Sequence, residues 1–173
     1  MSGNQTWRNR GVLMSFLVAL LLLFGLLSTS SAGESGAFSG SWVANGQRTM
    51  ASFGETRKIY TFKLSGHVNL KNHLGKQNDY WSECVGLADS ETGVIGRCVW
   101  KDINGPELYI TLESEQMQVE KRFVGEIVGG THHLKGITGD LSFVWSSVTF
   151  QEDAGLSYIS GQTLDLQGSY QLP

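Results

Sequence analysis

The chain has 173 residues and a formal net charge of −3, from 13 basic and 16 acidic side chains. Nucleic acids and anionic lipid surfaces bind clustered cations, and this mildly acidic sequence has no run of basic residues, which argues against both as partners. Once the N-terminal segment described next is set aside, residues 33–173 have the length of one domain with a single hydrophobic core.

The N-terminal segment, residues 1–32, has the three parts of a secretory signal peptide. Two arginines and no acid precede an uninterrupted apolar run at 11–27, and Ser30 and Ala32 have the small-residue spacing of a cleavage site. The run lies near the short end of the roughly 17 to 25 residues that span a membrane, so an uncleaved membrane anchor is the alternative. The sequence therefore predicts cleavage after Ala32 and export to the periplasm or the extracellular space, with no membrane contact afterwards.

The first clear strand signal of the mature chain covers residues 58–70, where apolar and polar side chains alternate with a period of two. The apolar face comprises Tyr60, Phe62, Leu64, Val68 and Leu70. His67 belongs to the opposite, polar face, and Gly66 beside it offers a position for a bulge or a bend. The pattern predicts a long, half-buried strand.

The two cysteines, Cys84 and Cys98, flank a cluster of turn residues at 89–93. A hairpin centred on Glu91 places them directly opposite each other, where Cα atoms lie roughly 4.5 to 5.5 Å apart, within reach of a disulfide. An exported protein meets oxidising conditions, and the spacing is not the C-x-x-C of a redox pair. The sequence predicts a Cys84–Cys98 disulfide, with two buried thiols as the alternative.

Alternation continues in the second half of the chain, at residues 107–114, 113–123, 141–150 and 163–172. In the last of these, Leu164, Leu166, Tyr170 and Leu172 are predicted to share one face. Glycine-containing turns separate the segments and no long helical stripe occurs, which predicts an all-β sandwich or barrel. Because the final strand alternates to the C-terminus and can close against an early strand, we expect a single antiparallel barrel.

A glycine-rich motif lies between two of these strands. The residues that carry it are Gly129, Gly130, Thr131, Leu134, Gly136 and Gly139. They match, with Leu for Phe, the pattern G-G-T-G-x-F-x-G-x-x-G that many relatives of allene oxide cyclase and of plant dirigent proteins carry. The chain thus resembles that calycin-like superfamily, including exported bacterial proteins of unknown role. The resemblance implies an eight-stranded antiparallel barrel with a central cavity.

The resemblance does not extend to an activity. His132 stands where the family usually has glycine, and no position here matches the functional residues of the cyclase or the acids of dirigent proteins. We therefore predict that five motif residues have a structural role at a turn, where glycine permits positive φ and close backbone approach. These five are Gly129, Gly130, Thr131, Gly136 and Gly139.

Six side chains are predicted to line a ligand cavity: Tyr60, Phe62, His67, Tyr80, Trp100 and Trp145. His67 could serve in proton transfer, although an outward-facing strand residue is the alternative. The hairpin register opposes Trp81 to Lys101, and a cation–π contact between them is the structural interpretation of that region's aromatic residues. No catalytic residue is assigned.

The adjacent histidines His132 and His133 are interpreted as solvated loop residues. Neighbouring side chains in an extended segment point to opposite sides, and a zinc site needs three or four converging ligands. No metal or other cofactor is therefore predicted.

Three functions are consistent with such a barrel. The first is binding of one small apolar molecule in the interior. The second is a cyclase or isomerase of the allene oxide cyclase type, in which the cavity folds a flexible substrate. The third is a ligand-free scaffold with a filled interior. The sequence favours the binding protein, because no internal acid or base can be identified, and it contains no indication of the oligomeric state.

Overall fold

The computed structural model of the protein describes residues 33–114, 121–153 and 155–173. The predicted signal peptide, residues 1–32, lies outside the described residues, as does most of the predicted strand at 113–123. In the described part of the chain, no helix has the length and hydrophobicity that crossing a membrane requires.

The described residues form eight β-strands and one short 3₁₀ turn at His132–Leu134. The strands are β1 (Ser35–Phe53), β2 (Arg57–Asn72), β3 (Gln77–Asp89), β4 (Gly93–Asp102), β5 (Glu107–Ser114), β6 (Lys121–Gly130), β7 (Thr138–Asp153) and β8 (Leu156–Gln171). Each strand pairs antiparallel with its neighbours in the chain, and β8 pairs with β1, so the sheet closes into a barrel. The predicted all-β antiparallel barrel, closed by its last strand, is confirmed.

Alternation along each strand sorts the side chains between the interior and the outer face. In β3, Ser82 and Cys84 are buried inside, whereas Trp81 is exposed outside. The register of β3 with β4 is the one that the sequence predicts, with Ser82 opposite Trp100 and Cys84 opposite Cys98. The two cysteines form the predicted disulfide, with their Cα atoms 4.1 Å apart.

Strand β8 departs from the alternation that the sequence predicts. Asp165 has a left-handed conformation, with φ of 54°, in a bulge that adds one residue relative to both neighbouring strands. The prediction that Leu164 shares a face with Leu166 is therefore wrong, since Leu164 is 45% exposed and Leu166 is buried. Thr163 turns inward instead, and its Oγ1 accepts a 2.8 Å hydrogen bond from the backbone N–H of Trp42. The hydroxyl thus replaces a ladder bond that the bulge interrupts.

Aromatic side chains fill the middle of the barrel around Trp42. The rings nearest to it are those of Trp145, Phe143 and Trp100, with centroid distances of 4.9, 5.8 and 6.4 Å. The Trp42 Nε1–H donates a 2.7 Å hydrogen bond to Ser82 Oγ, and Ser82 donates in turn to the Gly66 carbonyl at 3.2 Å. This cluster divides the interior of the barrel into two ends.

We name the two ends of the barrel by their connections. The loop end carries three connections and both termini of the barrel, at residues 73–76, 103–106, 131–137, 33–34 and 172–173. The far end carries the turns at residues 54–56 and 90–92. A salt bridge between Arg57 and Asp89 joins these two turns, with Arg57 Nε 3.0 Å from Asp89 Oδ2.

Candidate functional site

The glycine-rich loop at 131–137 folds across the loop end of the barrel. Two of its apolar side chains, Leu134 and Ile137, pack against the core, and Ile137 is buried. Thr131 anchors the start of the loop: its N–H donates to the Glu107 carbonyl at 3.0 Å, and its Oγ1 accepts from the Glu107 N–H at 2.9 Å. The loop therefore covers one end of the interior.

The backbone of this loop accounts for two of the motif glycines. A Cβ atom at Gly130 would lie 2.7 Å from the Glu107 carbonyl oxygen, closer than a side chain tolerates. Gly136 has φ of 83°, a conformation that glycine adopts without steric cost. Gly129 and Gly139 lie on the flanking strands β6 and β7. The motif therefore builds the corner that turns the chain across the barrel end.

The two loop histidines are both exposed. His132 has φ of 56°, and its Nδ1 lies 3.1 Å from Thr131 Oγ1. His133 lies at the margin of the cavity described next. In the described part of the chain, no three histidine, cysteine or acidic side chains come together as a metal site would require.

A cavity of about 160 Å³ lies between the loop and the aromatic core. Its apolar walls come from β1, β2, β5, β6 and the loop, and include Phe38, Leu70, Leu108, Ile127, Leu134 and Ile137. Most of these side chains are themselves buried, so they hold the shape of the cavity. The cavity thus combines a wall of packed apolar side chains with a polar margin.

Polar groups lie at the margin of the cavity, and several already have partners. The Tyr170 hydroxyl donates to Glu34 Oε1 at 3.0 Å, and Asn72 Oδ1 accepts from the backbone N–H groups of Leu74 and Lys76 at 3.1 and 2.9 Å. Burial, together with the hydrogen bond to Glu34, raises the pKa of Tyr170. These bonds fix the margin without occupying the cavity.

Tyr80 differs from these residues because its hydroxyl has no such partner. The side chain lines the cavity and is only 7% exposed. Among the described residues, none forms a hydrogen bond with the Tyr80 hydroxyl, whereas the buried Ser82 hydroxyl is bonded on both sides. Burial, and to a lesser extent the Asp102 carboxylate, raise the pKa of Tyr80 to about 12. The hydroxyl therefore stays protonated and neutral at physiological pH.

The structure does not bring the six predicted cavity residues together. Only Tyr80 lines the cavity at the loop end. Trp100 is fully buried in the central aromatic cluster, and its Nε1–H has no hydrogen-bond partner in the part of the chain that the structure describes. Three others lie on the far-end side of that cluster or within it: Tyr60, Phe62 and Trp145. There the guanidinium of Arg48 covers the Tyr60 ring at 4.7 Å.

His67 lies on the outer face of the barrel and is exposed, so it does not line the interior. The polar face of its strand faces solvent, which was the alternative interpretation of the sequence. Its ring meets Trp81 edge to face, with centroids 5.7 Å apart. The predicted contact of Trp81 with Lys101 does not form; Lys101 Nζ instead lies 3.5 Å from Glu107 Oε1.

Sequence reasoning missed most residues of the cavity wall. Phe38, Leu108 and Ile127 lie on three separate strands, and only the register of those strands places them at one level of the barrel. The alternation of apolar and polar residues indicates which side chains face inward, but it does not indicate their position along the barrel axis. Leu134 and Ile137 belong to the loop. Their apolar side chains within a glycine-rich segment were the one feature of the sequence that could have indicated a covered cavity.

No known protein family matches the sequence, and none of the curated proteins compared with it matches either.

Proposed function

We propose that the protein is a binding module that holds one small, mostly apolar molecule in the cavity at the loop end. The observation that carries this proposal is the cavity itself, whose apolar wall includes Leu134 and Ile137 of the loop and whose margin is polar. An apolar cavity of roughly 150 Å³ takes up benzene, whereas drug-sized ligands need at least about 300 Å³. The ligand is therefore a compact molecule about the size of a six-membered ring.

The expected affinity follows from the apolar surface that such a ligand buries. At about 0.8 kcal/mol for each buried carbon group, a molecule such as toluene gains roughly 5 kcal/mol on leaving water. This corresponds to a dissociation constant on the order of 0.1 to 1 mM. A natural ligand that also forms a hydrogen bond in the cavity would bind more tightly.

The geometry supports binding better than catalysis. A cyclase or isomerase that works by proton transfer needs an acid or base whose pKa lies near the working pH. Tyr80 has a pKa of about 12, and Glu34 at the margin is engaged by Tyr170. A filled, ligand-free scaffold is the alternative that the experiment below separates from binding.

Export and superfamily membership also remain part of the proposal. The Cys84–Cys98 disulfide supports an oxidising compartment, since such bonds are rare in reducing ones. The loop motif and the closed eight-stranded topology support a place in the allene oxide cyclase-like superfamily. A free-thiol assay on the protein from its native host tests the first point, and two reactive thiols would contradict export. A crystal structure in which residues 131–137 leave the barrel end uncovered would remove the support for the second.

The binding proposal is tested by titrating toluene into the disulfide-bonded protein and following backbone amide signals by NMR. We expect saturable shifts at Ile137 and Tyr80 and little change on the outer face. Ile127→Phe fills the cavity and should abolish the shifts, whereas Val128→Phe adds the same ring at an exposed neighbouring position and should not. Absence of saturable shifts in the unmodified protein would favour the scaffold.

A further inference from the structure

The Tyr80 hydroxyl is held at a fixed place in the cavity wall. Tyr80 pairs with Val68 on β2 and with Asp102 on β4, so its backbone lies between two hydrogen-bonded neighbours. Its side chain points inward, is nine-tenths buried and contributes to the cavity lining. The Tyr80 side chain is therefore part of the wall that a ligand would meet.

This hydroxyl can donate a hydrogen bond, and no acceptor among the described residues receives it. The acceptor on the same margin, Glu34 Oε1, is taken by Tyr170, and the Asn72 amide oxygen is taken by two backbone N–H groups. A ligand that covers this hydroxyl without bonding it would leave a buried donor unpaired, which is unfavourable. A ligand acceptor atom placed against it would remove that cost.

The charges nearby decide which kind of acceptor fits. The Asp102 carboxylate and the burial of the ring both disfavour a negative charge at the Tyr80 oxygen, and for that reason the pKa of Tyr80 rises to about 12. The same environment disfavours an anionic acceptor beside that oxygen. Lys76 and His133 lie at the opening of the cavity, and both are exposed to solvent, which screens their charge.

We propose that Tyr80 is a specificity-determining residue that selects compact apolar ligands carrying one neutral hydrogen-bond acceptor, such as a ketone or ether oxygen. The Tyr80 O–H donates to that oxygen, while the apolar walls from Leu70, Leu108 and Ile127 surround the rest of the molecule. This inference rests on the proposed binding function and adds the chemical class of its ligand.

The test compares cyclohexanone with methylenecyclohexane, which has nearly the same shape but replaces the carbonyl oxygen with an apolar group. Dissociation constants are measured by NMR titration for the full disulfide-bonded protein and for Tyr80→Phe. We expect Tyr80→Phe to weaken cyclohexanone binding roughly threefold to tenfold, the effect of one net hydrogen bond, and to leave methylenecyclohexane binding unchanged. Retained binding of the hydrocarbon shows that the variant is folded.

Tyr170→Phe is the matched control, because Tyr170 lines the same cavity but its hydroxyl already donates to Glu34. It should leave the ratio of the two affinities unchanged. Equal weakening of both probes in Tyr80→Phe would overturn the role of the hydroxyl and leave the binding function intact. Tighter binding of cyclohexanecarboxylate than of cyclohexanone would overturn the preference for a neutral acceptor. Failure of both neutral probes to bind the unmodified protein would overturn the binding function itself.

Discussion

Ser82 holds the central aromatic cluster in place, and removing its hydroxyl should destabilise the barrel measurably. Ser82 Oγ accepts the Trp42 Nε1–H at 2.7 Å and donates to the Gly66 carbonyl at 3.2 Å, so it links three strands. Ser82 is completely buried and Trp42 is nearly so. In Ser82→Ala the indole N–H loses its acceptor in a place that water does not reach, which costs about 1 to 3 kcal/mol. We expect the free energy of unfolding to fall by about 2 kcal/mol.

The assay is equilibrium unfolding in urea, monitored by tryptophan fluorescence. The slope of the unfolding free energy against urea concentration should be the same in each variant. Ser41→Ala is the matched control, because Ser41 is exposed on the outer face beside Trp42, and it should change stability by less than about 0.5 kcal/mol. In a Trp42→Phe background, Ser82→Ala should cost much less, since the buried donor is gone. A loss below about 0.5 kcal/mol for Ser82→Ala alone would refute this reasoning.

Three further predictions concern the disulfide, the far-end ion pair and the bulge. Replacing Cys84 and Cys98 together by alanine should lower the free energy of unfolding by about 3 kcal/mol, the loop-closure value for a separation of 14 residues, and a loss below about 1 kcal/mol in urea would contradict it. The hydrogen bond from Arg57 is the main reason why the pKa of Asp89 is lowered to about 2. The ionised Asp89 carboxylate therefore stabilises the fold above pH 4, and this stabilisation is lost as the pH falls toward 2. The melting temperature should therefore drop across that window less in Asp89→Asn than in the unmodified protein, and equal drops would exclude this ion pair as a cause. Asp165→Val should destabilise by about 1 to 2 kcal/mol because a branched side chain disfavours its positive φ, whereas Asp165→Gly should not destabilise; equal melting temperatures for the two variants would contradict the bulge.

Local chemistry made the hairpin of β3 and β4 predictable. The turn residues at 89–93 and the opposed cysteines each define the same register. The structure has that register from Tyr80–Asp102 to Asp89–Gly93. Closure of the barrel was predictable because pairing a late strand with an early one removes exposed edges from an all-β sheet.

The bulge in β8 could not be predicted from alternation. Alternation assumes that successive residues point to opposite faces, and the extra residue of a bulge interrupts that order. Leu164 looked like a core residue, but Thr163 takes its place on the inner face. The Thr163 hydroxyl accepts from the Trp42 backbone N–H at 2.8 Å and donates to the Trp42 carbonyl at 3.5 Å. That contact joins residues 121 positions apart in the chain. It arises only once β8 lies beside β1.

The cavity was unpredictable for a similar physical reason. Trp100 and Tyr80 both face inward, but one lies in the filled middle and the other beside an open space. The difference depends on the position of each residue along the barrel axis. That position is set by the stagger between strands in the closed barrel, so it cannot be obtained from the sequence of one strand alone. The loop that covers the end added walls that strand patterns could not include.

A crystal structure under xenon pressure shows whether a compact apolar molecule can occupy the cavity between Tyr80 and Ile137. Xenon enters dry apolar cavities of about this size without needing a polar partner. We expect a xenon atom among Leu70, Leu108 and Ile127, and we expect it to be absent from crystals of Ile127→Phe. An empty cavity, with xenon bound only elsewhere, would contradict it.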